Sequence, residues 1–243
     1  MKTNKIIFAI GGGDIGIGET LPIDRKIVEA AYGNRYRKRG SLKALFIPTA
    51  SGDDPEYFTA FNSIYGNKLG CETDTLLLYG KHRGRASIKR LIDWCDLVYV
   101  GGGSTPAMLR MWRKYNVDKY LYQAWNRGAI MSGLSAGANC WFKYGLSDAY
   151  SGRWATVTGL GFINYACNVH YGSQRGRKKH FNRLVIQKNI TGIALDDNAC
   201  IMLINDNYKI IKADRNAGVY KLTSKDGRVY RFGMPSSGLL YDE

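Results

Sequence analysis

Short apolar runs alternate with segments of helical periodicity along the first two thirds of the chain. The runs are almost continuously apolar, as expected for parallel strands that are covered on both faces. The predicted strands are residues 6–10, 45–48, 75–78, 97–100 and 129–132. The predicted helices between them are residues 24–32, 55–68, 87–94, 106–115 and 119–127. This alternation predicts an α/β fold with a mainly parallel sheet.

The second predicted helix, residues 55–68, carries a stripe of aromatic side chains near helical spacing. Its members are Tyr57, Phe58, Phe61 and Tyr65. A stripe of this kind is typical of a helix face that packs into the core. We therefore assign these side chains to the core and not to a ligand site.

The pattern changes near residue 190, where short strand-like segments follow one another without helices between them. The predicted strands here are residues 193–195, 199–204, 208–213, 219–222 and 229–232. Turn sequences separate them at 205–207 and 225–227. This arrangement predicts an antiparallel extension of the same sheet. No linker-like or repeated segment interrupts the chain, so we predict a single domain over residues 1–243.

The composition is that of an ordinary globular protein, with 45% apolar and 23% charged residues. No apolar run approaches the ~18 residues that are needed to span a membrane. The five cysteines are scattered and show no Cys-x-x-Cys spacing, which argues against a disulfide framework and a structural zinc site. We expect a cytoplasmic protein without a metal, cofactor or membrane partner.

The net charge of +15 is the unusual bulk property. Basic clusters occur at residues 35–39, 81–85 and 175–179. Such clusters can follow a phosphate backbone, attract an acidic substrate or simply face solvent. No zinc finger, RNA-recognition signature or helix-turn-helix accompanies them. Nucleic-acid binding on a scaffold with lost or altered activity therefore stays open as an alternative, but not as the favoured function.

The strongest chemical signal is the sequence Gly133-Leu134-Ser135-Ala136-Gly137. It lies between an apolar run at 129–131 and a helix-like segment at 138–142, as in a nucleophile elbow. The sharp strand-to-helix turn presents the serine hydroxyl, and side chains at the flanking glycines would collide with the crossing backbone. The following amides, with Ala136 first, would face an incoming carbonyl oxygen.

Two glycine-rich loops follow predicted strands. The spacing of Gly11, Gly13 and Gly16 formally matches a dinucleotide fingerprint, but Pro22 separates it from the next helix. The second predicted strand also lacks a ribose-binding acid at its end, so a tight loop is the better interpretation. The other loop, Gly101-Gly102-Gly103-Ser104-Thr105, lies one crossover before Ser135 and can supply a second oxyanion donor.

A serine nucleophile requires a base, and the chain has three histidines. His82 lies in a basic loop and His180 on a predicted solvated helix face. His170 ends a strand-like run and is therefore our choice. A carboxylate must orient its ring, and the residues alone leave three candidates open, which are Asp148, Asp196 and Asp197.

Several of these motifs, in the same order, resemble those of the peptidase E and cyanophycinase family of serine peptidases. The matching stretches are residues 11–13, 47–51, 101–105, 135–138, 147–148 and 159–161, and then His170 with Arg175 or Arg177. The family is similar in fold to class I glutamine amidotransferases. The resemblance thus implies a mainly parallel sheet with helices on both faces.

The resemblance also implies roles for individual residues. It implies Ser135 as nucleophile, His170 as base and Asp148 as the third member, with Asp197 as the alternative. The oxyanion donors would be the amides of Gly102 and Ala136. Family members cleave peptides after an aspartyl residue, either in α-aspartyl dipeptides or in β-linked aspartyl-arginine.

Two departures from the family lie near the expected substrate pocket. Ser104 stands where the family has asparagine, and Gly172 stands where it has aspartate. Both leave the proposed nucleophile and base in place. We expect Ser104 to contact the substrate, and either Arg175 or Arg177 to hold an acidic side chain through two parallel hydrogen bonds. The expected partner is a small acidic peptide bound by a monomer or homodimer.

Overall fold

The computed structural model describes residues 4–34, 40–80, 84–150 and 153–241. Strands form two sheets, and helices connect the parallel strands of the first. The strands are β1 Ile6–Ile10, β2 Lys43–Ile47, β3 Glu72–Thr75, β4 Leu97–Val100, β5 Ile130–Leu134, β6 Phe142–Tyr150, β7 Arg153–Thr158, β8 Ile163–Asn168, β9 Gly192–Leu195, β10 Ala199–Ile204, β11 Asn207–Lys212, β12 Val219–Lys225, β13 Arg228–Gly233 and β14 Ser237–Leu239. The helices are α1 Leu21–Asn34, α2 Pro55–Phe61, α3 Arg85–Trp94, α4 Thr105–Tyr115, α5 Val117–Asn126, α6 Ala136–Asn139 and α7 Arg177–Lys188.

The first sheet has the strand order β14-β11-β10-β1-β5-β4-β2-β3. Strands β1, β5, β4, β2 and β3 are parallel, whereas β10 pairs antiparallel with β1, β11 with β10 and β14 with β11. The predicted parallel sheet with an antiparallel extension is therefore present.

Helices cover both faces of this sheet. Successive side chains of a strand point to opposite faces, so they pack into different hydrophobic clusters. In β1, Ile7 and Ala9 pack with side chains from α3, α4 and α5. Phe8 and Ile10 pack on the other face with side chains from α1 and α2. Burial on both faces explains why these strands are almost continuously apolar.

The second sheet has the order β13-β12-β9-β8-β6-β7, in which β6, β8 and β9 are parallel. The sequence pattern predicted a single sheet for all C-terminal strands. That assignment holds for β10 and β11, but β9, β12 and β13 belong to the second sheet. A turn at residues 196–198 connects β9 of the second sheet to β10 of the first. The two sheets therefore meet at this turn.

Three predicted elements differ from the structure. Strand β3 ends at Thr75, where the predicted strand 75–78 begins, because the apolar residues that follow continue into a loop. The predicted helix 55–68 is α2 followed by a π-helical segment, Asn62–Lys68. The helix-like segment 138–142 is the end of a single turn, α6, and the start of β6. None of the helices in the described ranges has the length and hydropathy required to cross a membrane.

Candidate active site

Ser135 lies between β5 and the single helical turn α6, in a conformation that L-residues rarely adopt. Its φ is 55° and its ψ is −110°. A Cβ at Gly133 would lie 2.3 Å from the carbonyl oxygen of Gly137, and one at Gly137 would lie 2.2 Å from that of Val100. Both flanking positions therefore require glycine. The Ser135 N–H donates to the carbonyl of Ile10, which fixes the turn against β1.

His170 lies just beyond the carboxyl end of β8 and also has a positive φ, 51°. Its backbone N–H donates to the carbonyl of Gly11 at 3.0 Å, so the first glycine loop positions this residue. Its Nε2 is 2.8 Å from Ser135 Oγ. The predicted base and the predicted nucleophile are therefore in hydrogen-bond contact, although they are 35 residues apart in sequence.

The carboxylate that contacts His170 is Asp197. His170 Nδ1 is 2.5 Å from Asp197 Oδ1. Burial tends to raise the pKa of Asp197, but hydrogen bonds from His170 and Ser173 outweigh it and hold that pKa below its usual value. The carboxylate is thus kept ionised, and it can accept the Nδ1 proton and leave Nε2 free to accept one from Ser135.

The first glycine loop makes room for this pair. A Cβ at Gly12 would lie 1.9 Å from Asp197 Oδ1 and 2.5 Å from the ring of His170. The Gly12 carbonyl also accepts the Asn198 N–H at 3.0 Å. The loop that resembles a dinucleotide fingerprint therefore packs its backbone directly against the His170–Asp197 pair.

Asp148 is a correction to the sequence analysis. It lies exposed on β6, and both ring nitrogens of His170 are occupied by Ser135 and Asp197. Its charge instead acts on Arg177, where it offsets part of the pKa lowering that burial causes. Asp196, the third candidate, turns away from His170 and accepts hydrogen bonds from the Gly218 N–H and the Tyr220 hydroxyl.

The two predicted oxyanion donors border Ser135 but differ in their engagement. Ala136 is the first residue of α6, so its N–H has no intrahelical acceptor. A Cβ at Gly102 would lie 3.5 Å from Ser135 Cβ. The Gly102 N–H, however, donates to the Tyr57 hydroxyl at 3.1 Å. From the sequence, Tyr57 was predicted to be a core residue and nothing more. Its hydroxyl was the one available signal, and Tyr65 of the same stripe shares it.

The three predicted substrate-binding residues have different environments. Ser104 is half-buried and its Oγ caps α4 by accepting the Ala107 N–H. Arg175 is exposed in the loop that follows His170. Arg177 is buried.

Internal partners occupy the Arg177 side chain. Its Nε and Nη2 donate to Gln174 Oε1, and its Nη1 donates to Asn168 Oδ1 at 3.2 Å. Its guanidinium also stacks 4.6 Å from the Trp154 ring centre. Arg177 thus connects the start of α7 to the end of β8, and only Arg175 presents its side chain to solvent.

His180 lies apart from this arrangement. His180 is half-buried on α7 and stacks on Trp154 at 5.8 Å between ring centres. His82 lies outside the described residues. Over those residues, no group of three or more His, Cys, Asp or Glu side chains could hold a metal ion.

A serine, a histidine and an aspartate in sequential contact, with the serine on an elbow, define the serine-hydrolase class of arrangement. The chain belongs to peptidase family S51, whose sequence model matches residues 7–211. The match covers most of both sheets and all of the residues of this site. The protein is therefore a serine-type peptidase.

Known proteins are similar to the chain in sequence or in fold. An uncharacterized peptidase of Bacillus subtilis (strain 168), YgaJ, is 29% identical over 234 residues, which cover 95% of this chain and 97% of that protein. The fold is similar to that of a peptidase from an acI-B1 actinobacterium, with a TM-score of 0.71, 15% identity and 98% of each chain covered. A putative peptidase E protein from Listeria monocytogenes EGD-e has a TM-score of 0.62 at 16% identity, with 86% of this chain and 99% of that chain covered.

Proposed function

We propose that the protein hydrolyses short peptides after an N-terminal aspartyl residue, with Ser135, His170 and Asp197 as its catalytic triad. The observation that carries the triad is the continuous contact from Ser135 Oγ through the His170 ring to Asp197. The strained elbow at Ser135 supports it, because such backbone conformations persist where function requires them.

The chemistry follows from the order of these contacts. Ser135 Oγ attacks the scissile carbonyl carbon while His170 Nε2 takes its proton, and the carbonyl π electrons move onto oxygen. The intermediate then collapses, the C–N bond breaks, and His170 returns the proton to the leaving nitrogen. A water molecule repeats the same steps on the acyl-serine ester and frees Ser135. Asp197 stabilises the imidazolium that forms in each half.

Aspartyl specificity is the second part of the proposal. Arg175 is exposed within five residues of His170, and its guanidinium can bind a carboxylate through two parallel hydrogen bonds. Ser104 comes directly after Gly102 and Gly103 in the glycine loop that borders Ser135, so we propose its hydroxyl as the second substrate contact. The family resemblance supports both assignments.

The cytoplasmic location that we expect also remains a prediction, which cell fractionation would test.

The direct test is turnover of a panel that pairs each Asp-X dipeptide with its Asn-X counterpart and includes a β-aspartyl-arginine peptide. We expect Asp-X to be preferred, and Ser135→Ala to lose at least about 10³-fold in kcat. Ser63→Ala is the matched control, since it removes an exposed hydroxyl that is far from Ser135 in the sequence. Wild-type turnover by Ser135→Ala would refute the proposal. Equal turnover of Asp-X and Asn-X would refute the specificity alone.

A second pair of variants tests the choice of carboxylate. Asp197→Asn keeps the side-chain shape but favours the wrong imidazole tautomer, so kcat should fall by about 10⁴-fold. Asp148→Asn, which removes an exposed charge on β6, should have a much smaller effect. Equal losses in the two variants would contradict the assignment of Asp197.

A further inference from the structure

Tyr57 of α2 is joined to the proposed oxyanion site through a single hydrogen bond. Its Oη accepts the N–H of Gly102 at 3.1 Å. Gly102 in turn borders Ser135, since a Cβ at Gly102 would touch both Ser135 Cβ at 3.5 Å and the side chain of Leu134 at 3.6 Å. The Gly102 amide is therefore already engaged before any substrate arrives.

The Tyr57 ring is fixed where it lies. It packs edge-on against Phe46, with 5.0 Å between ring centres. Its Cε1 also lies 2.8 Å from the position that a Cβ would take on Gly101, which the absence of a side chain leaves free. A ring that is held on two sides by packed groups does not easily swing away, because protein interiors leave few voids for such a motion.

The Tyr57 hydroxyl can still donate a hydrogen bond of its own. A phenolic hydroxyl can accept one hydrogen bond and donate another, and here it accepts from Gly102. Burial raises the pKa of Tyr57 to about 12, and the hydrogen bond from Gly102 offsets only part of this rise. The hydroxyl thus keeps its proton at neutral pH. An N–H that donates to the hydroxyl oxygen also polarises the O–H bond and strengthens its donation.

We propose that the Tyr57 hydroxyl is an oxyanion donor of this peptidase, and that the Gly102 amide acts through it and not directly on the substrate. The inference rests on the proposed function, since it requires an oxyanion that forms when Ser135 attacks. The Tyr57 O–H and the Ala136 N–H would then share the developing negative charge. No bond to Tyr57 forms or breaks, and its proton stays on the phenolic oxygen throughout.

The first test is Tyr57→Phe, which keeps the ring and its packing but removes the hydroxyl. The rate at which a fluorophosphonate labels Ser135 and the kcat for the preferred dipeptide should each fall by at least about tenfold, with KM little changed, because the lost bond forms in the transition state. Tyr65→Phe is the matched control. Its hydroxyl belongs to the same aromatic stripe but donates to Asp24 at 2.9 Å. That variant should lose stability and keep its labelling rate.

The outcomes separate this inference from the proposed function. If Ser135→Ala is inactive and Tyr57→Phe loses less than tenfold, or labels faster, the Tyr57 hydroxyl merely covers the Gly102 amide and the inference is wrong. If Ser135→Ala remains active, the proposed function itself fails. A crystal structure of the wild-type phosphonate adduct gives an independent test. We expect its phosphoryl oxygen to lie within hydrogen-bond distance of Tyr57 Oη, and direct bonding to the Gly102 N–H with Tyr57 displaced would overturn the inference.

Discussion

Gly12 leaves room for the His170–Asp197 pair because it has no side chain. The position requires glycine for steric reasons alone, since its φ is not among the positive values. A Cβ there would lie 1.9 Å from Asp197 Oδ1 and 2.5 Å from the imidazole. One methyl group would therefore force apart the two side chains whose contact the proposed mechanism requires.

We predict that Gly12→Ala loses about 10²-fold or more in kcat/KM while the protein remains folded, because a displacement near 1 Å suffices for such a loss. The matched control is Gly33→Ala in α1, where a Cβ would meet nothing within 4 Å. This control should keep its activity and gain up to about 1 kcal/mol of stability from helix propensity. The measurements are dipeptide turnover and thermal melting. Normal turnover by Gly12→Ala would contradict the steric argument.

Single residues also show how far the sequence predicts this site. Ser135 could be found because it lies in a local Gly-x-Ser-x-Gly pattern. His170 could be found because the chain has only three histidines to choose from. Asp197 could not be ranked above Asp148, because its contact with His170 depends on the adjacent carboxyl ends of β8 and β9. Tyr57 was missed since the group that it binds, Gly102, lies 45 residues away.

The loop between β8 and α7 carries His170, and Arg177 ties its two ends together. Arg177 donates to Asn168 at the end of β8 and to Gln174 within the loop. Arg175 lies on the same loop with its side chain exposed. The two arginines, two positions apart, should therefore respond differently to the same substitution.

We predict that Arg177→Lys lowers kcat for every substrate in the panel and lowers the melting temperature, because lysine lacks the planar fork that reaches both partners. Arg175→Lys should leave stability unchanged and reduce kcat/KM for Asp-X more than for Asn-X dipeptides. The check is the Asp-to-Asn preference ratio of each variant beside its melting curve. A changed ratio in Arg177→Lys with an unchanged ratio in Arg175→Lys would reverse the two roles.

At the level of elements, the parallel half of the fold was predictable and the second sheet was not. Strands β1 and β4 match their predicted bounds because burial on both faces makes them continuously apolar. Strand β7 has exposed or half-buried residues at all positions but one, so its sequence lacks that signal. The partition of β9 and β10 between two sheets depends on pairing with distant strands, which no local pattern reports.

A buried carboxylate under the first sheet makes the stability of the whole molecule depend on pH. Asp24 is fully buried and accepts hydrogen bonds from Thr20 and Tyr65. Burial outweighs these bonds and raises its pKa from 3.8 to about 6. The folded state therefore holds the proton more tightly than the unfolded state. Its contribution to stability is fully present below about pH 4 and is lost as the pH rises through about 6.

We predict that Asp24→Asn removes this dependence, since asparagine does not titrate. The unfolding free energy of the wild type, taken relative to Asp24→Asn, should fall by about 2 kcal/mol between pH 4 and pH 7. Urea titrations of both proteins at several pH values within that window provide the measurement. Parallel curves for the two proteins would show that Asp24 keeps an ordinary pKa in the folded state.

The sequence on either side of His170 is strongly basic. Between Asp148 and Asp196 the sequence contains no acidic residue. The basic residues of that stretch are Arg153, Arg175, Arg177, Lys178, Lys179, Arg183 and Lys188. Helix α7 also begins with basic residues and has no acid in its first turn, although the helix dipole disfavours cations there. A charge distribution that opposes local stability favours a role in attracting an anion.

The two anions under consideration, an acidic dipeptide and a nucleic acid, respond differently to salt. An exposed arginine that holds one carboxylate is screened modestly, because the bonded atoms lie about 3 Å apart, which is no more than the Debye length of about 3 Å at 1 M. We therefore predict that raising the salt concentration from about 0.1 M to about 1 M lowers kcat/KM for Asp-X by less than about tenfold and leaves kcat and the Asn-X values nearly unchanged.

Binding of a labelled single-stranded oligonucleotide, measured by anisotropy over the same range, is the comparison. A polyanion that displaces many counterions would instead lose affinity with a steep logarithmic slope. Tight oligonucleotide binding with such a slope, together with salt-independent dipeptide turnover, would assign the basic surface to nucleic acid and remove the electrostatic argument for an acidic peptide.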